Sequence, residues 1–265
     1  MIEVFAIDID GTFIGTDGKV PPENIQALKM IEEEELKVFF ASGRMLRSVV
    51  KFQSTKLGTT YPVIAYNGAV VWNGRNIIFS KTIDPEEAAE IVSYTLKEEL
   101  YIQAYVDDEL IVPHDCEKAR EYAKHSGVSF RIEKDLSKFV SKNPPTKLLI
   151  IDTPEQVQRL KELYSARYTN LNVFRSFATY LDLLPEGVNK GIGLKVLCDD
   201  LHIAPEKVVA FGDNDNDVPL FEKAGFSVAV ANATPAAIKA ADVIAPTNDE
   251  GGFGKVAIRL IRLMK

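Results

Sequence analysis

The feature that most constrains this chain is a short apolar segment that runs directly into two aspartates. Residues 4–7 (Val-Phe-Ala-Ile) are uniformly apolar, which is typical of a strand buried on both faces of a parallel sheet. Asp8 and Asp10 follow, and side chains two residues apart on an extended chain point the same way. Because open α/β sheets place ligands at the carboxyl ends of their strands, we expect both carboxylates to face one pocket there.

Two carboxylates that are held close together repel, and the repulsion can be relieved in two ways. A cation can neutralise them, or the pKa of one carboxyl can rise until it keeps its proton. A polar turn of sequence Asp-Ile-Asp-Gly that only closes a strand is the structural alternative. Residues much further along the chain bear on this choice.

The rest of the chain alternates strands and helices, except in a central stretch. Residues 1–83 and 185–265 show buried strands followed by amphipathic helices, which predicts an α/β protein with a Rossmann-like parallel-sheet core. Residues 84–184 instead show hairpin-linked strands with interspersed helices, typical of an α+β module. We therefore predict a core domain (1–83 plus 185–265) into which a second domain (84–184) is inserted.

Composition and charge narrow the classes of function. The 265-residue chain carries a net charge of −7 and has a pI near 5.2, which argues against a nucleic acid or an anionic membrane as partner. A phosphate ligand stays possible, because a metal ion can invert the local charge. The amino terminus lacks the basic region of a signal peptide, and no apolar run approaches the ~18 residues of a membrane span. We expect a cytoplasmic protein.

A second acidic cluster follows another apolar strand near the end of the chain. Residues 213–217 (Asp-Asn-Asp-Asn-Asp) come after the strand at 207–211, so they are expected at the same sheet edge as Asp8 and Asp10. Four or five converging carboxylates would be strongly destabilised without a cation, and oxygen-only ligands suit Mg²⁺. A calcium loop is the competing interpretation, but the spacing of its glycine and its terminal glutamate is lacking here.

Two further features indicate an anion at this edge. Ser42 and Gly43 end the second buried strand just before a helix, where a hydroxyl and a flexible backbone N–H favour anion binding. Lys190 begins a helix, an unfavourable place for a cation on dipole grounds alone. It is better explained if it faces anions, the alternative being a solvated surface lysine.

These residues resemble, in order and at compatible spacing, the four motifs of the haloacid dehalogenase-like (HAD) phosphatase superfamily. The motifs are Asp8-Ile9-Asp10-Gly11-Thr12, Ser42, Lys190 and Gly212-Asp213-x-x-Asn216-Asp217. The inserted domain resembles a C2 cap, and the segment Tyr66-Asn67-Gly68-Ala69 resembles the Cof-type (type IIB) branch of sugar-phosphate phosphatases. The resemblance covers the whole chain.

The resemblance implies a Mg²⁺-dependent phosphatase that acts on small phosphorylated metabolites, with sugar phosphates expected. Asp8 would be the nucleophile and form an aspartyl-phosphate, while Asp10 would protonate the leaving alcohol and then deprotonate the hydrolytic water. Mg²⁺ would lie between Asp8, the backbone carbonyl of Asp10 and Asp213, with Asp217 steadying its waters. The implied phosphate-binding residues are Thr12, Ser42, Gly43, Asn216 and Lys190.

Two alternatives stay open from the sequence. A phosphomutase of the same superfamily would return the phosphate to a sugar, and a receiver-like signalling protein would sense phosphate without turnover. The acceptor's place in the first strand and the inserted domain disfavour a receiver. The partner is expected to be a small-molecule phosphate ester, which the cap would select while excluding water. The cap residues that could contact it are Tyr105, Asp107, His114, His125 and Lys147.

Overall fold

The structure is a computed structural model, and residues 2–265 are described from it. The first part of the chain forms the strands and helices β1 (Val4–Asp8), α1 (Pro22–Glu33), β2 (Lys37–Ala41), α2 (Leu46–Phe52), β3 (Val63–Ala65), β4 (Val70–Trp72) and β5 (Ile77–Ser80). Helix α2 continues into a π-helical turn, Gln53–Leu57, which ends at Gly58 in the left-handed conformation. The predicted alternation is therefore present from the start.

The middle of the chain builds a sheet of its own. Its elements are α3 (Pro85–Lys97), β6 (Ile102–Val106), β7 (Glu109–Val112), α4 (Glu117–Ser126), β8 (Phe130–Ile132), α5 (Leu136–Val140), β9 (Lys147–Ile151), α6 (Pro154–Arg167), β10 (Leu171–Phe177) and β11 (Tyr180–Pro185). The six strands lie in the order β10-β11-β9-β6-β7-β8. Asp107 and Asp108 both have positive φ, which is the backbone that a two-residue turn between antiparallel strands requires.

The last part of the chain returns to alternating strands and helices. Its elements are α7 (Lys190–Asp200), β12 (Val208–Gly212), α8 (Val218–Lys223), β13 (Phe226–Val230), α9 (Pro235–Ala240), β14 (Val243–Ala245) and α10 (Gly252–Leu263). Together with the first strands they form an eight-stranded sheet in the order β14-β13-β12-β1-β2-β3-β4-β5. Strand β1 is central and runs parallel to both β2 and β12.

Both faces of β1 are covered, as its uniformly apolar sequence requires. Residues 4–7 are completely buried. On one face Ala6 shares an apolar cluster with Leu194 of α7 and Leu220 of α8. On the other face Phe5 stacks against Phe211 of β12, which meets Phe253 of α10 edge to face. Polar side chains of this strand can therefore lie only at its end, where Asp8 is found.

Contacts divide the chain into two compact units. One consists of Met1–Phe79, Asn189–Lys265 and the other of Ser80–Val188. The boundaries predicted after residues 83 and 184 lie within a few residues of these limits. The second unit has its own core, in which Ile102, Leu148 and Leu183 are completely buried. The predicted α/β class is confirmed, and within residues 2–265 no helix is long and apolar enough to cross a membrane.

Candidate active site

A buried lysine joins two aspartates at the carboxyl end of the central strand. Lys190 is the first residue of α7, and its Nζ donates hydrogen bonds of 2.6 Å to Asp8 Oδ1 and to Asp217 Oδ1. The Lys190 and Asp217 side chains are both completely buried. The alternative of a solvated surface lysine is therefore wrong. Lys190 faces anions, which explains a cation at the start of a helix.

Asp217 is fully engaged by the protein. Besides the lysine on Oδ1, its Oδ2 accepts the main-chain N–H groups of Asp213 and Asn214 at 3.0 Å. A Cβ on Gly212 would lie 2.5 Å from the Asp217 Cβ, so only glycine allows this close approach. Asp217 thus fixes both the ammonium of Lys190 and the loop that follows β12.

Asp213 brings the loop after β12 against the loop after β1. Its Oδ1 accepts a 2.9 Å hydrogen bond from Thr12 Oγ1, which engages the hydroxyl hydrogen of that threonine. Gly11 has a φ of +83°, and a Cβ there would lie 2.3 Å from Asp213 Oδ2. Glycine is therefore required at this position both for its backbone conformation and for the space it leaves.

The result is a compact cluster of three carboxylates and one ammonium. Asp8, Asp213 and Asp217 each offer an oxygen, and these oxygens lie within 4.8 Å of one another. With the three carboxylates ionised and Lys190 protonated, the cluster has a net charge of −2. Burial raises the pKa of Asp8 well above its usual value, despite Lys190 and with a further rise from Asp217 and Asp213. Burial and the charge of Asp217 raise the pKa of Asp213 to about 6.

The ammonium itself stays charged in this setting. Burial alone would lower the pKa of Lys190, but the neighbouring Asp217 and Asp8 carboxylates outweigh that effect and raise the pKa above its usual value. A lysine that holds its proton so firmly is not a proton donor or acceptor at neutral pH. Its chemical contribution is a fixed positive charge.

The donor set fits a hard divalent cation. Asp8 Oδ2 is buried and has no hydrogen-bond partner among residues 2–265, and leaving a buried charged acceptor unpaired is costly. A cluster of net charge −2 that consists of oxygen ligands and includes one unpaired oxygen is the kind of site that Mg²⁺ prefers. The residues predicted to hold the metal therefore suit it chemically.

The side chain of Asp10 is placed differently from the sequence expectation. Arg44 Nε donates to Asp10 Oδ2 at 2.7 Å, and Arg44 Nη2 donates to the other oxygen; the Asp10 side chain is about half exposed, at 55%. Strand β1 ends at Asp8, so the strand geometry that would align the two aspartates does not continue to residue 10. The metal contact that the resemblance implies for Asp10 uses its main-chain carbonyl, and the ion pair with Arg44 engages only the side-chain oxygens.

The cluster is consequently smaller than predicted. Four or five carboxylates were expected to converge, whereas within residues 2–265 three do so. Asp10 pairs with Arg44, and the exposed Asp215 accepts a 2.7 Å hydrogen bond from Thr234 Oγ1. Neither the periodicity of a strand nor an acidic run in the sequence shows which of the carboxylates pair with other neighbouring side chains.

Three of the predicted phosphate-binding residues lie beside one another next to β2. Ser42 is 1% exposed, and its Oγ accepts the N–H of Arg44 at 3.1 Å, so the hydroxyl hydrogen can still be donated. Asn216 Nδ2 donates to Asn67 Oδ1 at 3.0 Å. The same Asn67 oxygen is 3.2 Å from the position that a Cβ on Gly43 would occupy. Asn67 therefore lies beside Gly43 and is bonded to Asn216.

Arg44 and Asn67 received no role from the sequence. Arg44 directly follows Ser42-Gly43, and Asn67 lies in the segment that carries the Cof-type resemblance, so adjacency to a motif was the available signal. Of the residues expected to contact the ester, His114 and His125 are exposed. Lys147 is buried and forms an ion pair with the buried Asp182, rather than being solvated at the start of its strand.

Comparisons with known proteins agree with these features. The family model for haloacid dehalogenase-like hydrolases matches residues 5–256, and the chain belongs to this family. The phosphoglycolate phosphatase of Methanopyrus kandleri is 34% identical, with 98% of each chain covered. The crystal structure of TM0651 from Thermotoga maritima is 39% identical with a TM-score of 0.90, and the match covers 98% of this chain and 97% of that one.

A more distant structure extends the likeness in fold. The subclass IIB sugar phosphatase BT4131 is 21% identical with a TM-score of 0.83, over 97% of this chain and 98% of that one. The family membership predicted from the motifs is confirmed, and the protein is a phosphatase of the HAD superfamily. Membership of a family of hydrolases speaks against the receiver-like alternative.

Proposed function

We propose that this phosphatase hydrolyses monoesters of small phosphorylated metabolites, sugar phosphates among them, through a phosphorylated Asp8 and with Mg²⁺ as its metal. The observation that carries the proposal is the unpaired oxygen of Asp8. It is buried and receives no hydrogen bond from any residue that the structure describes, while the other oxygen of the same carboxylate is fixed by Lys190. Lys190 thus fixes the orientation of this carboxylate, and within the described residues its second oxygen has no donor that would stabilise the ground state.

The first step transfers the phosphoryl group to the protein. The Asp8 carboxylate attacks phosphorus, the bond from phosphorus to the ester oxygen breaks, and the leaving alkoxide takes up a proton. Lys190 supplies a fixed positive charge to the transferred group, since its neighbours keep it protonated. Asp8, Asp213 and the Asp10 carbonyl would hold Mg²⁺, and Asp217 would steady its waters. The ion would supply further positive charge to the phosphate oxygens.

Asp10 is the proposed proton carrier. It gives its proton to the leaving alkoxide and then takes one from the water that attacks the phosphorylated Asp8. Its carboxylate is held as a charged acceptor by Arg44 in the structure. Acting as an acid therefore requires Asp10 to leave Arg44 and to take up a proton, so we infer that Arg44 holds the resting state of this side chain.

The phosphate oxygens are proposed to lie against donors on three segments. Ser42 contributes its hydroxyl and Gly43 its N–H, both directly after β2. Thr12 contributes its main-chain N–H, because its hydroxyl is donated to Asp213. Asn216 contributes the amide hydrogen that it does not give to Asn67. All of these donors recognise phosphate alone, so selection of the ester falls to other parts of the protein.

The substrate class rests on the relatives. A protein 34% identical over nearly its whole length is a phosphoglycolate phosphatase, and BT4131, similar in fold, is a sugar phosphatase. Both are named as phosphatases of small phosphorylated metabolites, and we propose this class of substrate for the present chain. The phosphomutase alternative would reveal itself by a requirement for a bisphosphorylated activator.

Hydrolysis of p-nitrophenyl phosphate tests the proposal. Chelator is expected to abolish the activity and added Mg²⁺ to restore it, and Asp8→Asn is expected to retain less than about 1% because the nucleophile is gone. Asp17→Asn is the matched control, since Asp17 is an exposed aspartate paired with the exposed Lys19. Full activity in chelator, or substantial activity of Asp8→Asn, would overturn the proposal. A kcat/KM ranking of phosphoglycolate and hexose phosphates then defines the substrate.

A further inference from the structure

The segment after β3 holds three consecutive residues in the left-handed conformation. Tyr66, Asn67 and Gly68 have φ values of 50°, 52° and 97°. Positive φ is uncommon outside glycine and is a clear outlier for a bulky residue such as tyrosine. A backbone in this region persists only where the surrounding structure imposes it, and such segments are concentrated at functional sites.

The surroundings impose this turn from two sides. The N–H groups of Tyr66 and Asn67 donate to the main-chain oxygens of Arg44 and Ser42, each at 3.0 Å. On the opposite side, a Cβ on Gly68 would lie 2.1 Å from the main-chain oxygen of Asn189, the residue before Lys190. The turn is therefore fixed between the end of β2 and the start of α7, both of which carry residues of the candidate site.

The turn presents the polar side chain of Asn67 to the candidate site. The side chain of Asn67 is buried, at 8% exposed, and its Oδ1 accepts the hydrogen bond from Asn216 Nδ2. Asn216 Oδ1 is buried without a partner in the described part of the chain, so the bond to Asn67 is what fixes the Asn216 amide. An amide nitrogen carries two hydrogens, and the second one stays available for a phosphate oxygen.

Asparagine meets both requirements of this position. It adopts the left-handed conformation more readily than most residues with a side chain, and its amide oxygen reaches Asn216. Glycine would satisfy the backbone but lacks the acceptor. Aspartate would satisfy the backbone and the acceptor, but it would place a negative charge beside Gly43, where the phosphate is proposed to bind.

We propose that Asn67 is a positioning residue that holds the Asn216 amide toward the phosphate. The inference rests on the proposed function, because the phosphate is the ligand that Asn216 would contact. It also explains why a strained turn is kept between β2 and α7. Asn67 contacts Asn216 rather than the reacting atoms, so its effect on catalysis passes through Asn216.

Asn67→Gly tests this role without disturbing the backbone, because glycine adopts positive φ freely. The variant is expected to raise KM for p-nitrophenyl phosphate and the inhibition constant of inorganic phosphate by about tenfold each, as for one lost hydrogen bond to an anion, with a smaller change in kcat. His202→Gly is the matched control, since His202 is exposed and also has positive φ, 55°. It should leave both constants unchanged.

A double-mutant cycle separates positioning from a merely structural role. Asn216→Ala alone is expected to raise both constants about as much as Asn67→Gly. The double variant should then be less than twofold worse than Asn216→Ala, because residues that act through one contact are not additive. The inference would be overturned if Asn67→Gly had the same KM and inhibition constant as the wild type. It would also be overturned if the increases of the two single variants multiplied in the double variant.

Binding of inorganic phosphate by calorimetry keeps this test apart from that of the proposed function. If the wild type binds phosphate but hydrolyses no ester, the proposed function fails while the positioning role is still judged by affinity. A tenfold weaker affinity of Asn67→Gly supports the role, and an affinity equal to that of the wild type contradicts it. If the wild type does hydrolyse esters but Asn67→Gly behaves like the wild type, the inference alone fails.

Discussion

Replacing Lys190 with methionine removes the ammonium from the carboxylate cluster and keeps an unbranched side chain with good helix propensity. The lysine side chain is completely buried and bonded to Asp8 and Asp217. Its removal leaves three neighbouring carboxylates without that charge. Removing one partner of a buried ion pair typically costs about 3–5 kcal/mol of unfolding free energy, because a charge stays buried without compensation. We expect a loss in this range for the metal-free protein.

This loss translates into a measurable fall in Tm. For chains of roughly this size, 1 kcal/mol corresponds to about 2–4 °C, so a fall of about 6–20 °C is expected in the presence of chelator. Lys195→Met is the matched control on the same helix. Lys195 is exposed and pairs with the exposed Asp199 at 2.5 Å, and such surface pairs contribute about 0–1 kcal/mol. Its Tm should fall by at most about 4 °C.

Thermal unfolding followed by circular dichroism, with chelator and with Mg²⁺, measures both effects. Mg²⁺ should recover part of the stability of Lys190→Met, because it neutralises the same carboxylates. It should not recover the activity, because the lysine charge on the transferred phosphoryl group is still missing. A Tm of Lys190→Met within about 2 °C of the wild type in chelator would refute the electrostatic reasoning for the cluster.

Three further outcomes follow from the site. Asp10→Asn should slow hydrolysis of alkyl phosphates more than that of p-nitrophenyl phosphate, whose leaving group needs no acid; equal losses would count against a proton-transfer role. The pKa of Asp213 is raised to about 6 in the folded protein, so metal-free stability from this group is present below about pH 4 and is lost as the pH rises through 6. Unfolding in chelator across this range should show that slope, and Asp213→Asn should flatten it. Gly68→Ala should lower the free energy of unfolding by about 2 kcal/mol or more because of its clash with the Asn189 oxygen. Gly127→Ala, with φ +66° and no described atom within 4 Å of the added Cβ, should lower it by about 1 kcal/mol. Similar losses for the two variants in denaturant unfolding would contradict this.

Much of the site could be predicted because it depends on strand ends. Asp8 is the last residue of a buried parallel strand, and Ser42 and Asp213 directly follow two others. The ends of adjacent parallel strands meet at one sheet edge. Lys190 could be included because a cation at a helix start is unfavourable without anions nearby. These inferences need only the order of the elements and the chemistry of the side chains.

The rest depends on geometry that the sequence does not carry. Asp10 pairs with Arg44 because β1 stops at Asp8, and the ends of elements are the least reliable part of a prediction from sequence. Asn67 reaches Asn216 only because three residues take up positive φ. Lys147 meets Asp182 through the antiparallel pairing of β9 with β11, and a shift of one residue in that register would separate them.

The central claim is that Asp8 carries the phosphoryl group during turnover. A rapid acid quench of the wild-type protein with Mg²⁺ and a ³²P-labelled ester should yield labelled protein whose label is released by hydroxylamine and maps to the peptide containing Asp8. Asp8→Asn treated in the same way should carry no label. Turnover by the wild type without any labelled protein, or a label on another residue, would contradict the claim.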